Sequence, residues 1–128
     1  MNFDRLKKHS EDNLGTGTDP AKIEKLENVW EISLPQEFKK YLLEIGYAEI
    51  YGDEIYSIYE IPDLIACNGL HWMNQKNDKL KNGFIRFFSS DIDGLFYINN
   101  VTGKIYLNST ENEFSDSFIG FVNKILDE

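Results

Sequence analysis

The sequence predicts an α+β fold: a central antiparallel β-sheet flanked by α-helices. Helical hydrophobic spacing occupies the beginning of the chain and returns at its end, whereas β-branched and aromatic residues between turn signals fill the rest. Because these patterns come in separate runs and do not alternate, the strands are expected to pair antiparallel. A chain of 128 residues with 41% hydrophobic residues is long enough for one core, so we predict a single domain over residues 1–128.

Three helices are predicted before the strands. Residues 2–12 carry two apolar side chains, Phe3 and Leu6, among charges, which predicts a weak helix. Residues 1–18 are therefore assigned to a peripheral helix and loop. The second helix begins at Pro20, with Asp19 as its cap, and the third begins near Leu34-Pro35 and ends at Gly46. The buried stripes are expected to be Ile23, Leu26, Val29 and Trp30 in the second helix, and Leu34, Phe38, Tyr41, Leu42 and Ile45 in the third.

The middle of the chain changes from helical to strand patterns. Residues 50–51 and 55–59 are β-branched and aromatic and are separated by Gly52-Asp53, which predicts a β-hairpin. Residues 62–73 predict a short helix broken near Asn68-Gly69, and the polar, basic residues 74–82 predict a mobile loop. Strands are then expected at residues 84–88, 95–99 and 104–108. The first of them is expected to be central because, apart from Arg86, it is apolar on both faces.

The last helix has the clearest pattern. Ser115 can cap it, and Phe114 can pack as a hydrophobic staple on Ile119. Its buried stripe is predicted to be Phe118, Phe121, Val122, Ile125 and Leu126.

The charge balance limits the partners that the protein could bind. Acidic residues outnumber basic ones by 22 to 13, which gives a net charge of −9. This charge argues against nucleic acid and anionic membranes as partners and favours a basic protein. The charged N-terminus is unlike a signal peptide, and the apolar runs are too short to span a membrane. With Cys67 as the single cysteine, a cytoplasmic location is expected.

A few residues could in principle carry chemistry. Cys67 and His71 have helical i, i+4 spacing, so they could form a reactive thiol pair, although Asn68-Gly69 lies between them. The alternative is a small buried cysteine. Asp91-x-Asp93-Gly94 has the beginning of a calcium loop but lacks the spacing of further ligands, and turn-forming aspartates explain it better. We therefore predict no catalytic residue, no metal site and no cofactor.

The distribution of charge is more informative than any single motif. No lysine or arginine lies between Lys40 and Lys76, and residues 87–103 also lack them. Tyrosines and carboxylates share these stretches, a combination that suits recognition of a basic protein. The predicted partner-binding residues are Glu49, Tyr51, Asp53, Glu54, Tyr56, Glu60, Trp72, Asp91 and Asp93. The alternative is an ordinary solvated acidic face with its tyrosines in the core, since about half of them must point inward from strands.

Taken in order, these segments resemble the SUKH superfamily, which includes the yeast cell-wall assembly regulator and many bacterial immunity proteins. The resemblance runs from about Pro20 to the C-terminus. Its markers are the amphipathic helix 23–30, the run LPQEFKKYLLEIG at 34–46, the strands DGLFYI at 93–98 and GKIY at 103–106, and the closing helix 118–126. Most of the matched positions are structural, so they transfer a fold and not an active site.

The resemblance implies helices packed on a central antiparallel sheet and no catalytic residues or cofactors. Bacterial members look like immunity proteins that bind a cognate toxin domain, often a nuclease, and block it stoichiometrically. The resulting hypothesis is an immunity protein, acting as a monomer or weak homodimer against a basic, nuclease-type toxin. Two alternatives stay open: a regulatory scaffold that binds several proteins, and a small enzyme using paired carboxylates or Cys67 with His71.

Overall fold

The computed structural model describes residues 3–11, 14–58 and 69–127, and the α+β prediction is confirmed. None of the described helices is long and apolar enough to cross a membrane. The helices are α1 (Asp4–Ser10), α2 (Pro20–Trp30), α3 (Gln36–Glu44), α4 (Leu70–Met73) and α5 (Phe118–Leu126), with a 3₁₀ turn at Leu80–Asn82. The strands are β1 (Glu49–Ile50), β2 (Asp53–Glu54), β3 (Phe84–Ser90), β4 (Gly94–Asn99), β5 (Ile105–Leu107) and β6 (Glu113–Ser115).

Strands β3 to β6 form an antiparallel meander in sequence order, and β1 pairs with β2 in a separate hairpin. The strand at residues 84–88 was predicted to be central. This prediction is wrong, because β3 is an edge strand of the four-stranded sheet. Its outer side is covered nevertheless, since the backbone N–H of Tyr56 donates to Phe87 O at 2.8 Å. A β-bulge between Arg86 and Phe88 lets the consecutive Phe87 and Phe88 both be buried.

The core forms where α3 and α5 pack against the sheet. All five residues of the predicted α3 stripe are buried. Phe38 lies 5.4 Å from the ring of Phe118 and 5.8 Å from that of Phe87, and Phe87 lies 4.9 Å from Phe121. These edge-to-face rings join α3, β3 and α5 into one aromatic cluster within the buried core.

The first two helices depart from the sequence prediction in opposite directions. The N-terminal helix is not peripheral, because Phe3 and Leu6 are fully buried and Phe3 contacts the rings of Tyr41 and Phe118. In α2 the Asp19 cap is confirmed by its hydrogen bond from Ala21 N at 2.9 Å. However, Val29, which was predicted to be buried, is 52% exposed. The buried face of α2 is therefore narrower than predicted.

The glycine-containing segment at 14–18 caps the C-terminal end of α3. Gly17 N donates to Ile45 O at 2.9 Å, and Thr18 N donates to Leu42 O at 2.7 Å, so α3 carbonyls without helical partners are satisfied. Gly17 has φ +99°, and a Cβ there would lie 2.2 Å from Leu43 O. Only glycine fits this close approach. Gly46 has φ +74°, which confirms the predicted left-handed cap.

The segment 74–82, predicted as a mobile loop, is anchored to β3 by two buried asparagines. Asn74 Oδ1 accepts from Arg86 N and Asn74 Nδ2 donates to Arg86 O, both at 2.9 Å. Asn77 Nδ2 donates to Phe84 O at 2.8 Å. These two amides bond to the outer edge of β3 in the way that a neighbouring strand would.

At the C-terminal end the predicted cap is displaced by two residues. Ser115 belongs to β6, a strand that the sequence pattern did not indicate, and pairs with Ile105. Ser117 is the actual cap of α5 and accepts from Gly120 N at 2.9 Å. The predicted stripe of α5 is confirmed, with Leu126 half-buried at its end.

Candidate protein-binding surface

A β1–β2 hairpin lies where the sequence predicts one and forms the centre of the candidate site. Its turn is one residue earlier than the predicted Gly52-Asp53, and its second strand is Asp53–Glu54 and not residues 55–59. Glu49 pairs with Glu54 and Ile50 with Asp53, and Tyr51 and Gly52 make the two-residue turn. Both turn residues have positive φ, +51° and +87°. This is the geometry of the tight turns that match the right-handed twist of a hairpin. Ile50 is buried, which directs the short hairpin onto the core and leaves its tip at the surface.

Two clefts flank this hairpin and share Gly52 and Asp53. The first has a volume of about 350 Å³ and is lined by residues that include Tyr47, Glu49, Asp53, Glu54, Tyr56 and Ser89. The second has a volume of about 410 Å³ and is lined by residues that include Ile50, Tyr51, Asp53, Asp91, Ile92 and Asp93. Seven of the nine predicted partner-binding residues therefore lie around one hairpin, although they come from distant parts of the sequence.

The two clefts carry a concentrated negative charge. Carboxylates of five residues line them, while the described lining residues include no lysine or arginine. The surface ion pairs found elsewhere in the described chain include Lys39–Glu27 at 3.1 Å and Lys104–Glu113 at 3.5 Å. We call the set of Glu49, Tyr51, Asp53, Glu54, Asp91, Ile92 and Asp93 the acidic hairpin surface. Its field attracts cationic groups and repels polyanions.

Tyr47 and Glu49 form a hydrogen-bonded pair in the first cleft. The Tyr47 hydroxyl donates to Glu49 Oε2. This bond and, secondarily, burial raise the pKa of Tyr47 to about 12. Tyr47 thus remains a neutral donor at physiological pH and holds the Glu49 carboxylate in place. Sequence reasoning did not select Tyr47, although its i, i+2 spacing to Glu49 is the spacing of side chains on one face of an extended segment.

Of the two tyrosines predicted to bind a partner, Tyr51 and Tyr56, only Tyr51 projects from the surface. Tyr51 is 59% exposed at the tip of the hairpin, and its hydroxyl donates to Leu126 O at 3.0 Å. Tyr56 is 6% exposed and does not project, so its role in partner binding stays a prediction. It is a cleft wall, because its backbone bonds to β3 and its ring joins the core. Burial raises the pKa of Tyr56, against a smaller opposing effect of its hydrogen bond with Ser89.

The β3–β4 turn supplies the other rim. Ser90 Oγ accepts from Ile92 N at 3.1 Å and from Asp93 N at 3.2 Å, which fixes the turn. Ile92, which sequence reasoning did not select, is 90% exposed between Asp91 and Asp93. The signal that could have found it is an isolated apolar residue in an otherwise polar turn. An exposed isoleucine beside carboxylates gives the surface an apolar contact point.

The remaining predicted residues lie apart from the clefts or outside the described residues. Trp72 is on α4 and is 38% exposed, one residue from Met73, which lines the first cleft. Glu60 and Cys67 fall outside the described residues, so the site geometry includes neither Glu60 nor the Cys67–His71 pair. In the part of the chain that the structure describes, no group of three or more His, Cys, Asp or Glu residues could hold a metal ion.

Helices packed on an antiparallel meander form an α+β domain, the fold that the resemblance to the SUKH superfamily implies. A family model, SUKH_6, described as SMI1-KNR4 cell-wall, matches residues 20–123. Since this match covers most of the chain, the protein belongs to that family. The superfamily includes toxin immunity proteins. A comparison with curated proteins gave no match to this chain.

Proposed function

We propose that the protein is an immunity protein that neutralises a cognate toxin domain by stoichiometric binding through the acidic hairpin surface. The observation that carries the proposal is the collection of five carboxylates, with Tyr51 and Ile92, around one hairpin and without a basic residue among the described lining positions. The proposed partner is a basic protein of the nuclease type. Membership in a superfamily of immunity and regulatory proteins supports a binding function over an enzyme, and the acidic hairpin surface supports a single basic partner over the several partners of a scaffold.

The chemistry of the surface suits inhibition of a nuclease. A nuclease binds phosphates with lysine and arginine side chains. Carboxylates can pair with the same side chains and so cover the surface on which the nuclease binds nucleic acid. Tyr51 and Ile92 project between the acids, as 59% and 90% exposed side chains. Apolar or aromatic contacts surrounded by a polar rim are the usual arrangement of the residues that contribute most to binding energy.

Co-purification followed by a growth assay tests this function. The tagged full-length protein is used to capture its partner from its native cells, and the partner is then expressed alone and together with the protein. We expect the partner alone to arrest growth, and co-expression of the unaltered protein to restore it. Several weak, non-toxic partners would contradict the proposal and indicate a regulatory scaffold.

A charge-reversed variant tests whether protection from the toxin depends on the acidic hairpin surface. Asp53→Lys with Glu54→Lys reverses two charges on the hairpin, whereas Glu24→Lys with Glu111→Lys makes the same change in net charge at exposed positions elsewhere. We expect the control pair to restore growth and the hairpin pair to fail while remaining folded by circular dichroism. Equal protection by both variants would remove the acidic hairpin surface from the interface.

A further inference from the structure

We propose that α1 is a clamp that holds the acidic hairpin surface in its binding geometry, with His9 and Ser10 as its positioning residues. The contact between α1 and the hairpin is independent of any partner, whereas its consequence for binding rests on the proposed function. The matched family region begins at residue 20, so α1 lies before it. The clamp is thus a feature of this chain outside the matched region.

The Ser10 hydroxyl bonds to both the C=O and the N–H of Glu49 in β1. Its hydroxyl donates to Glu49 O at 2.6 Å and accepts from Glu49 N at 3.2 Å. Ser10 is buried, so these bonds are largely shielded from water. One serine at the end of α1 therefore satisfies the backbone of the residue that carries a carboxylate into the first cleft.

His9 binds the tip of the hairpin. Its Nε2 accepts from Tyr51 N at 3.2 Å, and its ring lies 4.8 Å from the Tyr51 ring in an edge-on arrangement. Because Nε2 is the acceptor, the hydrogen of the neutral imidazole must be on Nδ1. The histidine thus orients both the backbone and the ring of the most exposed tyrosine of the surface.

The hairpin needs such support because its own strands are short. Each strand has two residues, and a two-stranded hairpin in isolation is marginally stable in water. Tyr51 also has φ +51°, a left-handed conformation that costs free energy for any residue with a Cβ. Such a residue keeps this conformation only when its surroundings impose it. The opposed Glu49 and Glu54 add repulsion between like charges across the ladder.

The clamp is itself fixed to the rest of the domain. Arg5 Nη1 donates to Asn123 O at 3.2 Å, and the Arg5 guanidinium pairs with Asp127, so α1 is tied to the C-terminal end of α5. Tyr51 reaches the same end of α5 through its bond to Leu126 O. The hairpin tip, α1 and α5 therefore meet at one corner of the molecule. A surface held in place before binding loses less conformational entropy when a partner binds.

Amide hydrogen exchange in the full-length protein tests the clamp without a partner. His9→Ala removes the ring and the acceptor, His9→Phe keeps a ring without an acceptor, and His9→Gln keeps an acceptor at a similar reach. Lys8→Ala, at an exposed neighbour, is the matched control. Loss of one hydrogen bond is expected to lower the protection of the Tyr51 amide by about three- to tenfold in the first two variants. His9→Gln should restore it, Lys8→Ala should leave it unchanged, and the Ile98 amide in the sheet should report equal global stability throughout.

Binding to the captured toxin then tests the positioning role. We expect His9→Ala and His9→Phe to weaken binding by about three- to tenfold, in proportion to the lost protection, with an unchanged salt dependence because no carboxylate is removed. Unchanged Tyr51 protection in His9→Ala would overturn the clamp, whatever the toxin does. Lost protection with full toxin affinity would overturn the positioning role. A failure to find any toxin would overturn the proposed function and the role in binding together, while the exchange result still decides whether the clamp exists.

Discussion

Replacement of Asn74 by alanine is predicted to destabilise the domain strongly, although it removes only one polar side chain. Asn74 is 2% exposed, and its amide makes hydrogen bonds to Arg86 N, Arg86 O, Leu70 O and Asn77 Nδ2. Two of these partners keep another bond in the variant. Leu70 O still accepts from the backbone N–H of residue 74 at 3.2 Å, and Asn77 Nδ2 still donates to Phe84 O.

The expected magnitude follows from the two groups that lose their partner. The N–H and C=O of Arg86, whose bonds to Asn74 are part-buried, are left without a partner, and an unsatisfied group costs about 1–3 kcal/mol when it is buried. We therefore expect Asn74→Ala to lower the free energy of unfolding by about 3 kcal/mol. Asn74→Asp should cost at least as much, because it keeps the acceptor for Arg86 N but turns a carboxylate oxygen toward the carbonyls of Leu70 and Arg86.

Urea unfolding followed by far-ultraviolet circular dichroism measures this loss. Asn28→Ala is the control, because Asn28 is exposed on α2 and alanine favours helix. The free energy of unfolding of this variant should differ from that of the unaltered protein by less than about 0.5 kcal/mol. The midpoint for Asn74→Ala should fall with an unchanged urea slope. A loss below about 1 kcal/mol would refute the reasoning, because the asparagine would then not be the structural substitute for a strand at the edge of β3.

Two further perturbations test other parts of the structure. Glu49→Gln should lower the pKa of Tyr47 from about 12 toward its ordinary value of 10.0, as measured by absorbance titration of the phenol. Since the folded-state pKa is raised, Tyr47 stabilises the fold below pH 10 and loses this contribution as the pH rises toward 12. Glu49→Gln should therefore reduce the alkaline loss of stability, and an identical alkaline profile would contradict the pairing. Gly17→Ala should destabilise by at least about 2 kcal/mol, from left-handed strain plus the clash with Leu43 O. Gly103→Ala, with open space around its Cβ, should cost only the strain of about 1 kcal/mol, and equal losses would refute the clash.

The fold was most predictable where local pattern and tertiary packing agree. Leu34, Phe38 and Tyr41 repeat at helical spacing, and α3 buries that whole face, so its stripe and its Gly46 cap were both predicted correctly. The cap of α5 shows the opposite case. Ser115 and Ser117 are both possible caps. Ser115 instead pairs with Ile105 in the sheet, a strand pairing that the signals of a helix start do not encode.

Polar residues misled the prediction where they serve the core. Asn74 and Asn77 were expected in a mobile loop because clusters of asparagine and lysine between periodic segments are typical of loops. Their amides instead satisfy the backbone at the edge of β3. Phe3 and Leu6 show the opposite error, in which buried residues were assigned to the periphery. Two apolar residues among charges predicted a weak peripheral helix, yet both reach the aromatic core.

The composition of the candidate surface was predictable, but its geometry was not. The absence of bases between Lys40 and Lys76 is visible in the sequence and selected most of the acids that line the clefts. Tyr51 is exposed because it stands in the hairpin turn, and Tyr56 is buried because it follows β2 and bonds to β3. Strands of two residues leave no clear periodic signal of where that turn falls.

The central claim is that the acidic hairpin surface attracts and binds a basic toxin, and association kinetics test it most directly. The captured toxin domain is mixed with the unaltered protein, with the Asp53→Lys, Glu54→Lys pair or with the Glu24→Lys, Glu111→Lys pair, over a range of salt concentrations. We predict that the hairpin pair associates on the order of tenfold more slowly at low salt and with a shallower salt dependence, while the control pair stays close to the unaltered protein. Equal rates and equal salt dependences for the two variants would contradict the account.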